Sequence, residues 1–185
     1  MRRPVILCLI AACSAVTIPG CFTAAGEGIA AMRGASGTYT EIKPVADVKD
    51  NLALSQYTNF ELGTIKDSFG GKVPERLFLA LTPEFDKAIR NAKLPTDPTG
   101  KTLIIRGEIV YFELRGSALG LVLSDVEEVV TRLELVDKAS GRVLGTAMCV
   151  GRTTHRMTMG IDKKAEGLAR AIAEWIAAYY PKKDK

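Results

Sequence analysis

Residues Val129–Val150 read VVTRLELVDKASGRVLGTAMCV, and this stretch decides the fold. Val129, Thr131, Leu133 and Leu135 alternate with Arg132 and Glu134, the period-two pattern of a half-buried strand. Asp137 can bond its own backbone and Gly141 can take a positive φ, so DKASGR reads as a tight connection. Val143–Val150 then returns antiparallel as the second arm of a hairpin. A hairpin with one apolar face needs a second layer to cover it.

The neighbouring segments supply more strands and two covering helices. In Thr102–Phe112, Leu103, Ile105, Ile109 and Tyr111 share a face opposite Arg106 and Glu108, which predicts a strand. Pro74–Leu94 carries Leu77, Leu81, Phe85, Ala88, Ile89 and Ala92 at helical spacing. Pro83 either kinks that helix or restarts it with Thr82 as cap. Leu52–Leu62 (LALSQYTNFEL) predicts an earlier strand, and Gly70-Gly71 break the pattern. At the other end, Asp162 to about Tyr180 predicts a helix capped by Asp162 and stopped by Pro181. Its apolar stripe is Ala165, Leu168, Ala169, Ile172, Trp175, Ile176 and Tyr179, with Lys163, Lys164, Glu166, Arg170 and Glu174 on the opposite side.

The predicted order is therefore β-α-β-β-β-α. The strand–helix–strand unit favours a parallel crossover, and the later strands favour an antiparallel meander. The expected architecture is an α/β (α+β) two-layer sandwich: a mixed sheet of about four to five strands with two helices on one face.

The first twenty residues have a different character. Met1-Arg2-Arg3 is a basic start, Val5–Val16 is an apolar run, and Thr17-Ile18-Pro19-Gly20 leads small residues up to Cys21. That order resembles a bacterial lipoprotein signal, which implies that Cys21 receives acyl chains such as palmitate and becomes the mature N-terminus. Pro19 is unusual in that motif. Ile10-Ala11-Ala12-Cys13 fits the local pattern, but leaves too short an apolar stretch ahead of it. Ordinary cleavage after Ala25 and an uncleaved anchor over Pro4–Phe22 are the other readings, the last broken by Pro19-Gly20. The expected organisation is a signal peptide at 1–20, a lipidated cysteine and flexible tether at 21–49 (with Tyr39–Val48 in it extended, since Pro44 argues against a helix), a single domain at 50–181 and a basic tail at 182–185. The resemblance implies a cell-envelope location. Phe22, rather than an aspartate, points to the outer membrane facing the periplasm.

A second resemblance lies in the domain. Leu103-Ile104-Ile105-Arg106-Gly107-Glu108-Ile109, Arg115-Gly116-Ser117, Leu133-Glu134-Leu135-Val136-Asp137, Ser140-Gly141-Arg142-Val143-Leu144-Gly145 and the amphipathic helix near Lys164 look like a family of bacterial lipoproteins. It is known as the domain-of-unknown-function 4410 family, and the similarity covers roughly residues 50–181. It implies a fold related to the N-terminal domain of the TolB translocation protein and to the curli-secretion lipoprotein, both envelope interaction modules. No functional residues come with it. The segment after Gly116 departs from the glycine-rich loop of such proteins and reads Ala118-Leu119-Gly120-Leu121-Val122-Leu123.

Composition excludes several classes. The chain has 185 residues, 25 Lys and Arg against 21 Asp and Glu, and its basic residues are scattered, so no nucleic acid is expected as partner. Loss of Cys8 and Cys13 with the signal, and acylation of Cys21, would leave Cys149 as the sole free thiol, so no disulfide is expected. Cys149 sits in an apolar run and reads as a small buried hydrophobe. One histidine and one mature cysteine cannot build a usual zinc site, and no phosphate-binding loop, dinucleotide fingerprint or nucleophile elbow is present. Gly34-Ala35-Ser36-Gly37 reads as linker. No cofactor, metal or catalytic residue is expected.

Three features could carry function. Asp125, Glu127 and Glu128 form an acidic cluster at the charged start of a strand; it could alternatively serve as an acid/base pair or cation site. Arg152, His155 and Arg156 make a small basic patch. Leu119, Leu121, Val122 and Leu123 lie between two strands whose alternation is already complete, and form a candidate interaction loop unless they extend a strand or fold onto the core. The expectation is a non-enzymatic, lipid-anchored module that binds another envelope protein or scaffolds an assembly. The alternatives are an envelope carrier or sensor, marked by a deep polar-lined pocket, and a cell-wall hydrolase, marked by a carboxylate pair in a cleft.

Overall fold

A computed structural model describes residues 34–45, 53–113, 127–153 and 159–180. Five strands and two helices follow in the order β1 (Ala35–Lys43), β2 (Tyr57–Asp67), α1 (Glu75–Asn91), β3 (Lys101–Phe112), β4 (Glu127–Asp137), β5 (Val143–Thr153) and α2 (Met159–Ala177). They form one mixed sheet in the order β1-β5-β4-β3-β2. β2 and β3, joined through α1, are parallel, and every other pair is antiparallel. The two helices pack against each other and share one core over one face of the sheet. This is the expected two-layer α/β sandwich, with one strand more at the front.

β4 and β5 form the predicted hairpin. Asp137 Oδ1 accepts from the Ser140 amide at 2.7 Å and its hydroxyl at 2.8 Å, and Gly141 sits at φ 69°. The other carboxylate oxygen of Asp137 accepts from the Tyr57 hydroxyl at 2.6 Å, tying the turn to the first residue of β2. Those bonds, the Tyr57 one first, hold the Asp137 carboxyl down to about 2 from an ordinary 3.8. A carboxylate depressed in the folded state contributes stability that is complete above its unfolded value and is lost as pH falls through the folded one. The melting temperature is therefore expected to drop between about pH 4 and pH 2, and Asp137→Asn to flatten that slope. Equal slopes for the two proteins in a pH series of thermal melts would count against this assignment.

Four details differ from the sequence expectation. β1 occupies residues 35–43, within the segment read as tether. Ala35-Ser36-Gly37-Thr38 are too small and polar to open an apolar alternation, yet their smallness is what seats the start of the strand. A Cβ on Gly37 would lie 1.9 Å from the Gly167 carbonyl oxygen, so only glycine lets β1 approach α2 this closely. The bonds of β1 run along β5 instead, from Ala35 opposite Thr153 to Lys43 opposite Thr146. The Gly34–Gly37 segment is thus turn and strand, not linker.

β2 begins at Tyr57, later than the predicted strand, because Leu54 turns the chain: the Tyr57 amide donates to the Leu54 carbonyl at 2.9 Å. Leu54 is fully buried from that turn. α1 runs unbroken through Pro83, which rules out a restart with Thr82 as cap. The bond proline cannot make would have gone to the carbonyl of Leu79, whose side chain is 68% exposed, so the gap faces water. Finally, α2 starts at Met159, ahead of Asp162. Asp162 lies within its first turn and pairs with Arg76 of α1 at 2.6 and 2.9 Å instead of capping.

Candidate functional site

Strand register places the starts of β1 and β4 and the end of β5 together, since Thr153 faces both Ala35 and Glu127. The end of β3 joins them, where the Glu113 amide donates to the Glu128 carbonyl at 3.0 Å. The chain between Glu113 and Glu127 therefore leaves and returns at this end of the sheet. Its candidate interaction residues Leu119, Leu121, Val122 and Leu123 lie outside the described residues, as do Asp125, His155, Arg156 and the lipidation site Cys21.

Both stems of that segment are held by one side chain. Lys164 of α2 is 1% exposed, and its ammonium lies 2.8 Å from Glu127 Oε2 and 2.5 Å from the Glu113 carbonyl oxygen. It also sits 4.6 Å from the ring centroid of Phe112, a cation–π contact in a desolvated place. The three donors of the ammonium meet a carboxylate, a carbonyl and a ring face. The expectation that Lys164 covers the solvent side of its helix is overturned. The signal was in the spacing: Lys164 lies three after Ile161 and four before Leu168, on the packed stripe.

The acidic cluster does not act as a unit. Glu127 points into the core toward Lys164, while Glu128 is turned to the other face by strand alternation and binds Arg152 at 2.6 Å. That pairing also takes Arg152 out of any free basic patch. Cys149 is fully buried, and desolvation pushes its thiol up to about 12, so it stays protonated and unreactive. Among the described residues no group of His, Cys, Asp and Glu could hold a metal ion, and every buried side-chain N or O has a hydrogen-bond partner. No described helix is long and apolar enough to cross a membrane.

A second polar cluster closes the edge at β1. The Trp175 indole N–H donates to Glu41 Oε1 at 2.9 Å, and the Tyr179 hydroxyl donates to the same oxygen. The Tyr179 oxygen in turn accepts from the Val45 amide at 3.2 Å. Burial first, then the Glu41 contact, pushes the Tyr179 hydroxyl up to about 12. This cluster fastens β1 to α2 and is structural.

No family model matches this chain, and no curated protein matches it. None of these comparisons shows the domain-of-unknown-function 4410 family, and the resemblance to it rests on the residue pattern alone. Among solved structures, the chain is similar to the PelC dodecamer from Paraburkholderia phytofirmans (11% identity, TM-score 0.48, covering 80% of this chain and 99% of that one). It is also similar to a minor lipoprotein from Acinetobacter baumannii (10%, TM-score 0.42, 66% and 94%). A third is a family-4136 protein of unknown function from Bacteroides thetaiotaomicron (10%, TM-score 0.40, 81% and 99%). These are similarities of chain path at identities too low to transfer any site residue.

Proposed function

We propose that this protein is a lipid-anchored envelope lipoprotein, attached through Cys21 and acting as a non-enzymatic interaction or assembly module. The observation that carries the reading is the order Met1-Arg2-Arg3, apolar Val5–Val16, Cys21, followed by a folded unit that begins at β1. Two or three acyl chains on one cysteine make attachment stable where a single chain gives only marginal binding. Cys149 is buried and protonated, which leaves this thiol no part in covalent catalysis. The contact region proposed is the segment between the stems held by Lys164, through Leu119, Leu121, Val122 and Leu123. The destination proposed is the periplasmic side of the outer membrane.

Two measurements test this. Metabolic labelling with a clickable fatty acid should mark the wild type and leave Cys21→Ser unlabelled and unprocessed; equal label in both would sink the anchor. Leu119→Asp with Leu121→Asp should keep the wild-type melting temperature while abolishing cross-linked partner capture from membranes. A melting temperature lowered by roughly ten degrees would instead place those leucines in the core.

A further inference from the structure

We infer that the end of the sheet bearing Gly34, Phe69 and Tyr111 is the surface that lies against the bilayer. The inference rests on acylation at Cys21, and two separate observations support it. The first is the length of chain between the anchor and the fold. β1 begins directly after Gly34, so only residues 22–33 separate the lipidated cysteine from the described structure. Twelve residues would span about 20 Å r.m.s. if they behaved as a flexible coil, and could reach at most about 40 Å. An eleven-residue strand such as β4 or β5 is itself about 36 Å long. The end where β1 starts meets the membrane at the ordinary extension of the tether. The opposite end, with the Lys138–Arg142 turn, does so only if the tether is pulled nearly straight back along the domain.

The second observation is where apolar surface is left in water. The large hydrophobic side chains exposed among the described residues are Ile42, Phe69, Leu79 and Tyr111. Leu79 is on the outer side of α1, and Ile42 lies toward the far end of β1. The two aromatic ones fall at the anchor end. Tyr111 faces Val130, which faces Val150 and then Thr38, a row three residues in from Ala35. β2 runs parallel to β3 with Asp67 opposite Ile109, so the turn carrying Phe69 projects at this same end. Exposed aromatic rings, apolar in body and for tyrosine polar at the tip, suit the headgroup layer of a bilayer. The occupant is a lipid surface, with Phe69 near one sheet edge and the tether near the other; the proposed contact segment between Glu113 and Glu127 leaves from this same end, so its protein partner would be met at the membrane surface.

The test uses the full-length, lipidated protein in vesicles of phosphatidylethanolamine and phosphatidylglycerol that carry a headgroup quencher. A fluorophore is attached to a single introduced cysteine: Phe69→Cys or Tyr111→Cys at the anchor end, Lys138→Cys or Ser140→Cys at the far end. Labelling is selective because Cys149 is buried and acylation, checked on the same samples by fatty-acid labelling, would block the Cys21 thiol. Severalfold stronger quenching at 69 and 111 than at 138 and 140 is expected. Equal quenching at the two ends, or stronger quenching at the far end, overturns the orientation while fatty-acid labelling of the same samples leaves the anchor standing. Wild-type protein that takes no fatty acid overturns both.

Discussion

Trp175→Ala should destabilise the domain by about 3–5 kcal/mol, the range for truncating a fully buried large aromatic. Trp175 has no exposed surface and belongs to the single core that joins both helices to the sheet. Truncation leaves a cavity in a layer whose neighbours, among them Ala171 and Ile172, cannot collapse without moving α2. It also removes the indole donor to Glu41, loosening β1 from the helix that covers it. Marginally stable domains hold only about 5–15 kcal/mol in total, so the variant should unfold at much lower denaturant, as read by far-ultraviolet circular dichroism. Trp175→Phe keeps most of the apolar volume and should fall well short of that loss. An unchanged midpoint for the alanine variant would mean that α2 does not pack as described.

Lys164→Met is the second large effect. The substitution keeps the volume and removes the charge, stranding the Glu127 carboxylate where its side chain is 9% exposed. Breaking a buried pair by deleting one partner costs about 3–5 kcal/mol, whereas exchanging both partners for apolar residues of similar size is often neutral. Lys164→Met combined with Glu127→Leu should therefore recover most of the stability lost by Lys164→Met alone in urea unfolding. The Glu113 carbonyl loses its ammonium in both variants, so recovery will be incomplete. No recovery in the double variant would mean that the Glu113 and Phe112 contacts, not the ion pair, hold the two stems together.

The legible parts of this protein were those whose cause is local. The β4–β5 hairpin follows from strict alternation and from an Asp-to-Gly turn that satisfies its own backbone. α1 and the apolar stripe of α2 follow from helical spacing, and the burial of Cys149 from its place in an apolar run. Helix ends and the start of β2 shifted because competing contacts decide them. Asp162 finds Arg76 of the other helix, and Leu54 is drawn into the core from a turn. The acidic triplet looked like one cluster because sequence proximity ignores that adjacent strand residues face opposite sides.

By itself, the amino-acid sequence determined the class of fold, the hairpin at its centre, the helical layer above it and the residue order on which the proposed acylation of Cys21 rests. Only the tertiary structure decided that residues 35–43, which open on Ala, Ser, Gly and Thr, are an edge strand, because the strand's stability comes from the β5 ladder and from glycine-permitted contact with α2, neither of which leaves an apolar periodicity. Only the tertiary structure, too, supplied the partners of Lys164, which its spacing already places on the packed stripe. A lysine on a packed helical face reads as a solvated charge until the fold brings a carboxylate, a carbonyl and an aromatic ring around its ammonium.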